Sequence, residues 1–263
     1  MFDFINFGAD KLQILLLILV RTSGVVAIAP VFSDTGIPKL IRVALVLLLS
    51  MVLVPVLGDT VNIPVAESVW QLTGYVLNEL LVGVIIGLMF KFIFIAVLTA
   101  GSLIGYQIGF MMANLFDKSL NTQVSLIGRF WHIIAILLFL AINGHHLIIN
   151  AFAESYLVIP PGAVGLYGSA GELIIKYSAY IFVIALKVAA PVMVSLFLID
   201  VSLGTIAKTM PTMNVFFVGF PIKIGAGLMV MAMALPIFAY VMERALEYFD
   251  RGLADLLMVI GRA

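Results

Sequence analysis

Apolar residues along this chain run together instead of alternating with polar ones. Stretches such as Leu15-Leu16-Leu17-Ile18-Leu19-Val20 lack the polarity at every second residue that a transmembrane strand needs, so the pattern predicts helices. Between clusters of Gly, Pro, Asn and charge, six apolar windows emerge, at about residues 12–32, 40–57, 69–98, 124–142, 173–200 and 214–242. A hydrocarbon core about 30 Å thick is crossed by about 20 such residues in a helix. The third, fifth and sixth windows exceed that length and are expected to tilt, kink or continue beyond the hydrocarbon, with Pro191, Pro221 and Pro236 as candidate kinks. Short joints at residues 33–38, 58–64 and 143–144 imply helical hairpins. Residues 99–123 and 143–172 are expected to form longer connections, the second carrying Pro160-Pro161-Gly162. No long polar linker interrupts the pattern, so residues 1–263 read as one integral membrane domain, an all-α membrane protein of about six long apolar helices. Ala27-Ile28-Ala29 has the look of a cleavage site, but Asp3, Asp10 and Lys11 replace a basic leader, and no cleavage is expected.

Composition sharpens the membrane reading. Of 263 residues, 63% are hydrophobic and 11% charged, against roughly 45–50% and 25% in soluble domains, and the mean hydropathy is +1.23. Fourteen Lys and Arg balance fourteen Asp and Glu, which leaves no basic surface for nucleic acid. The absence of cysteine excludes disulfides, thiolate metal sites and cysteine nucleophiles. Adjacent His145-His146 lack the i, i+4 spacing of a zinc helix, and neither a nucleophile elbow nor a phosphate-binding glycine loop is present, so no enzyme and no cofactor is expected. Lys39, Arg42, Lys118, Arg129 and Lys208 flank odd-numbered loops of a six-span arrangement, which would place those loops in the cytoplasm; Arg244, Arg251 and Arg262 argue the opposite.

Charges inside the apolar windows carry the first functional information. Arg21, Glu79, Lys91, Lys176, Lys187 and Lys223 would each cost roughly 2.5–3.5 kcal/mol at the centre of a lipid-exposed helix. Lys91 and Lys176 are expected near helix ends, where they snorkel. Arg21 and Glu79 sit mid-window and are expected to form a buried pair or a contact with another subunit. A proton-coupled carrier would need facing acids and histidines near the midplane. Glu79 is the one acid deep in a window, and His132, His145 and His146 lie near or past the end of the fourth, so that relay is thin.

Gly101, Gly105, Gly109 and Ala113 recur every four residues, a spacing that lets another helix approach closely; Gly83 and Gly87 form a shorter copy. Bulky, adaptable Phe110, Met111, Met112, Leu115 and Phe116 follow and run into the loop-like Asp117–Asn121. Such side chains can fill an aqueous hole and yield under force, or they can cap a helix core; spacing alone leaves both readings open and favours the cap. A second constellation, residues 208–224, sets Pro211, Asn214, Phe216, Gly219, Phe220, Pro221 and Lys223 in an aromatic run. It is either a kinked helix entry or irregular backbone covered by protein.

In Arg21–Pro30 with Ile37-Pro38, Gly101–Asp117, Phe139–His146 and Pro211–Lys223, the chain resembles the FliR family, the R subunit of the flagellar type III export gate, with its injectisome counterpart, the T subunit. Lys118 departs from the proline that many relatives carry after the aspartate. The resemblance implies a non-enzymatic subunit, like a FliP-type and a FliQ-type piece fused, in a closed helical gate with FliP and FliQ, joined by FlhB and FlhA in the bacterial inner membrane at the flagellar basal body. Unfolded export substrates would pass through it. It also implies that the stretch around Tyr106–Asn121 is a channel plug, sealed by Phe110, Met111, Met112, Leu115 and Phe116. A small-molecule secondary transporter and a passive membrane scaffold are the alternatives.

Overall fold

The computed structural model describes residues 9–34, 36–58, 66, 68–109, 126–162, 168–212 and 214–261. Among these lie seven helices and no strand: α1 (Ala9–Ile28), α2 (Lys39–Gly58), α3 (Val69–Ile108), α4 (Leu126–Ala141), α5 (Gly144–Val158), α6 (Gly168–Thr209) and α7 (Val215–Gly261). The protein is an all-α membrane protein. With 40, 42 and 47 residues, α3, α6 and α7 reach about 60–70 Å at 1.5 Å per residue, twice the hydrocarbon thickness. Among the described residues these three are long and apolar enough to cross a membrane, and the broken pair α4–α5 makes a fourth candidate. Three or four candidate spans and shorter apolar helices thus make up the expected set of about six.

Each difference from the apolar windows has a local cause. α1 stops at Ile28, before a turn in which Val31 takes φ 69°, a conformation that cannot continue a right-handed helix. That turn is tied by Ser33 N–H to the Ala29 carbonyl at 3.0 Å, by Gly36 N–H to Asp34 Oδ1 at 2.9 Å, and by Arg42 donating to the Asp34 carbonyl. α3 continues past residue 98 to Ile108, with Gly101 packed against the Gly128 backbone. α5 occupies much of the expected 143–172 connection. It restarts after Asn143, which has φ 58°, and buries Ile148, Ala151, Phe152 and Tyr156; a single buried stripe of this kind is invisible to a search for continuous apolar runs. α7 likewise continues past 242 to Gly261, where charged positions alternate with the buried Leu246, Phe249, Leu253, Leu256 and Ile260. The helices run unbroken through Pro55, Pro191, Pro221 and Pro236.

The chain forms two compact units: Met1–Phe92 with Asn143–Ser178 and Leu246–Ala263, and Ile93–Ile142 with Ala179–Ala245. α3, α6 and α7 contribute a segment to each. In the first unit Leu17, Ile18, Val82, Ile86, Phe90, Ile148, Tyr156 and Phe249 are buried, and α1 lies along α2. Gly24, Gly83 and Gly87 bring α1 and α3 into backbone contact: a Cβ at Gly24 would lie 3.1 Å from the Gly83 Cα, and one at Gly83 would collide with the Arg21 carbonyl. In the second unit Phe94, Ile104, Trp131, Phe139, Val192, Leu196 and Phe238 form the core, with Trp131 and Phe238 edge to face at 4.4 Å. There Gly101 meets the backbone of Gly128, where a Cβ has no room.

Candidate functional site

Among the described residues each unit contains a polar site built around an ion pair, and the two are built differently. In the first unit Arg21 from α1 and Glu79 from α3 are both fully buried. Arg21 Nε donates to Glu79 Oε2 at 2.6 Å and Nη2 donates to Oε1 at 3.0 Å, the bidentate geometry in which guanidinium and carboxylate bind most strongly. Nη1 donates to Ser155 Oγ at 3.0 Å and Nη2 also to the Ile159 carbonyl at 3.0 Å. The Gly162 N–H donates to Glu79 Oε1 at 3.1 Å, and the Tyr156 ring lies 4.1 Å from the guanidinium carbon. Every guanidinium nitrogen and both carboxylate oxygens are thus engaged. The network fastens α1, α3, α5 and the turn after α5 to one another.

In the second unit the last turn of α3, the C-terminal part of α6 and the first turns of α7 surround a cavity of about 380 Å³ whose lining includes Gln107, Gly109, Asp200, Leu203, Phe220 and Lys223. The Lys223 ammonium pairs with the Asp200 carboxylate and donates to the Gln107 carbonyl at 3.2 Å. Gln107 Nε2 donates to Asp200 Oδ2 at 3.3 Å. Gly109 ends α3 with φ 93°, its N–H directed to the carbonyls of Gly105 at 3.2 Å and Tyr106 at 3.0 Å. A Cβ on Gly109 would lie 2.7 Å from the Phe220 ring, so that position needs glycine both for its backbone and for its neighbour. Asn214 starts α7: its Oδ1 accepts from the Phe217 N–H at 3.4 Å, the role that favours asparagine before a first turn. Gly219 leaves room for Leu203, whose Cδ1 a Cβ would approach to 3.0 Å.

The structure therefore brings Gly109, Gly219, Phe220 and Lys223 to one place, although more than a hundred positions separate Gly109 from the other three. Pro211 lies exposed in the turn before α7, and Pro221 is exposed on that helix; Phe216 belongs to its first turn. Gly101 and Gly105 are buried within α3, and Gly109 follows the last residue of that helix with φ 93°. Ala113, Phe110, Met111, Met112, Leu115 and Phe116 lie outside the described residues. Lys91 corrects one expectation: it is exposed in the middle of α3, because that helix extends well beyond the apolar window on which its place near an end was judged. Sequence reasoning missed Ser155, Ile159 and Gly162 around the buried pair, and Asp200 and Gln107 around Lys223. Asp200 had a signal, since a lysine in an apolar helix calls for an acid and Asp200 is the acid within residues 173–209.

Residues 12–249 match the family described as Bacterial export proteins, family 1. The chain belongs to this family. Among relatives of this bacterial export protein, the flagellar biosynthetic protein FliR of Pectobacterium carotovorum subsp. carotovorum is 32% identical over 240 residues, 90% of each chain. FliR of Bacillus subtilis (strain 168) is 30% identical over 255 residues, covering 96% of this export protein and 97% of the relative. FliR of Escherichia coli (strain K12) is 27% identical over 241 residues, 91% and 90% of the two chains. The FliR-family resemblance read in separate stretches thus holds across nearly the whole export protein.

Proposed function

We propose that this chain is a non-enzymatic subunit of the flagellar type III protein export gate. It packs with FliP and FliQ, is joined by FlhB and FlhA, and sits in the bacterial inner membrane at the flagellar basal body, where unfolded substrates pass. The observation that carries this reading is the family match across residues 12–249. Two structural features support it. α6 exposes Phe182, Leu186, Val194, Phe197 and Leu198, apolar area that suits lipid or neighbouring subunits. Gly219, Phe220 and Lys223 of the 211–223 constellation line the cavity where α3 ends, immediately before the stretch assigned as plug. In this reading Phe110, Met111, Met112, Leu115 and Phe116 close the channel by excluding water from an apolar constriction, which needs no catalytic group.

Coexpression with FliP and FliQ, gentle solubilisation and native mass spectrometry test the assembly. A stable complex is expected; a monodisperse chain whose stability the partners leave unchanged would contradict it. For the plug, Phe110, Met111, Met112 and Phe116 are changed together to serine. The complex should assemble and conduct ions, because hydroxyls support a water column, whereas single Met→Leu changes should be silent. An assembled serine variant that stays tight would make the stretch a packing cap and remove this chain from the seal.

A further inference from the structure

We propose that Lys223 is a positioning residue that caps the C-terminal turn of α3 from a different helix and so fixes where the chain leaves α3. The consequence for transport rests on the gate reading; the cap itself does not. The final carbonyls of a helix have no partner within it and carry the negative end of its dipole. Gln107 provides one of them, since α3 ends at Ile108, and the Lys223 ammonium donates to it at 3.2 Å. A lysine on its flexible stem does not hold one position unaided. Asp200 holds this one by an ion pair, and the Gln107 side chain donates to the same carboxylate at 3.3 Å, so the three residues close a ring of contacts.

Phe220, less than one turn before Lys223 on α7, presses against Gly109 where any side chain would collide. Residues 107–109 are therefore held at a carbonyl, a side-chain amide and a backbone bend, all by the 200–223 segment. The pair is partly open to water, with Lys223 20% and Asp200 38% exposed. A contact of that exposure can be released and remade without stranding a charge in a dry interior. Releasing it frees the start of the stretch that the gate reading assigns to the seal.

The test uses the full chain in complex with FliP and FliQ and reads two quantities: hydrogen exchange at the amides of Ile108 and Gly109, and ion conductance after reconstitution. Lys223→Met is expected to reduce protection at those amides about tenfold or more and to raise conductance, while Lys223→Arg, which keeps the charge and the donor, stays near the parent. Lys223→Cys followed by aminoethylation restores an ammonium at nearly lysine length, and the chain has no other cysteine to react. Protection that returns on aminoethylation supports capping over a general loss of fold, and this arm replaces Lys223→Met if the methionine variant does not assemble. Unchanged exchange on losing the ammonium, equal loss in Lys223→Arg, or no recovery on aminoethylation overturns the proposal. Exchange that rises and recovers while conductance stays flat leaves the cap standing and counts against the gate reading alone.

Discussion

The two polar sites use the same parts, a cation, a carboxylate and a backbone carbonyl, to different ends. Arg21 and Glu79 are wholly excluded from water, whereas Lys223 and Asp200 are 20% and 38% exposed. Removing an ion from water costs several kcal/mol unless its partners replace the lost solvation, and the first site supplies a partner for every nitrogen of Arg21. It behaves as a fixed fastener among helices. At the second site water screens the pair and solvates each member when they separate, so its contribution is to position the end of α3. Burial, more than the identity of the charges, separates a fastener from an adjustable contact.

The contrast is broken most directly by removing one charge from each site. Glu79→Leu or Arg21→Leu should destabilise the first unit by about 3–5 kcal/mol, since the remaining charge stays buried and unpaired. Loss of complex yield and a large fall in thermal midpoint in detergent would be the readout. The double replacement Arg21→Met with Glu79→Leu should recover most of that loss, because a buried ion pair exchanged for apolar groups of similar volume is often neutral. A double variant as damaged as the single ones would mean that the charges, and not their pairing, are required.

A smaller effect, about 1–3 kcal/mol, is expected for Gly83→Ala, whose methyl meets the Arg21 carbonyl and pushes apart the helices that carry the pair. A silent Gly83→Ala would show that the α1–α3 approach is looser than the network demands. The smallest change belongs to Asp200→Asn, below about 1 kcal/mol in global stability, measured by the same thermal unfolding. A loss there as large as that of Glu79→Leu would erase the distinction between the sites.

Much of this organisation was legible from residue order. Six apolar windows located six of the seven described helices, the mid-window position of Arg21 and Glu79 pointed to a buried pair or a contact with another subunit, and helix backbones come close at Gly83, Gly87 and Gly101. Helix ends were less legible. α5 and the end of α7 are stabilised by stripes that only a packed neighbour makes apolar in effect, and Gly109 fits a four-residue repeat as well as it fits a terminus. Ser155, Ile159 and Gly162 gave no signal, because a hydroxyl, a carbonyl and an N–H become ligands of a buried charge only once the chain has brought them there.

Hydropathy is a sum over local residues, so the order of amino acids by itself determined that the chain is helical and belongs in a membrane. It also settled the family, whose motifs lie along nearly all of its length. Which cation meets which carboxylate was decided by the tertiary structure. Arg21 and Glu79 are 58 positions apart, and Lys223 reaches the Gln107 carbonyl over 116 positions. Charge attraction is set by distance and surrounding dielectric, and both quantities exist only after the helices have packed.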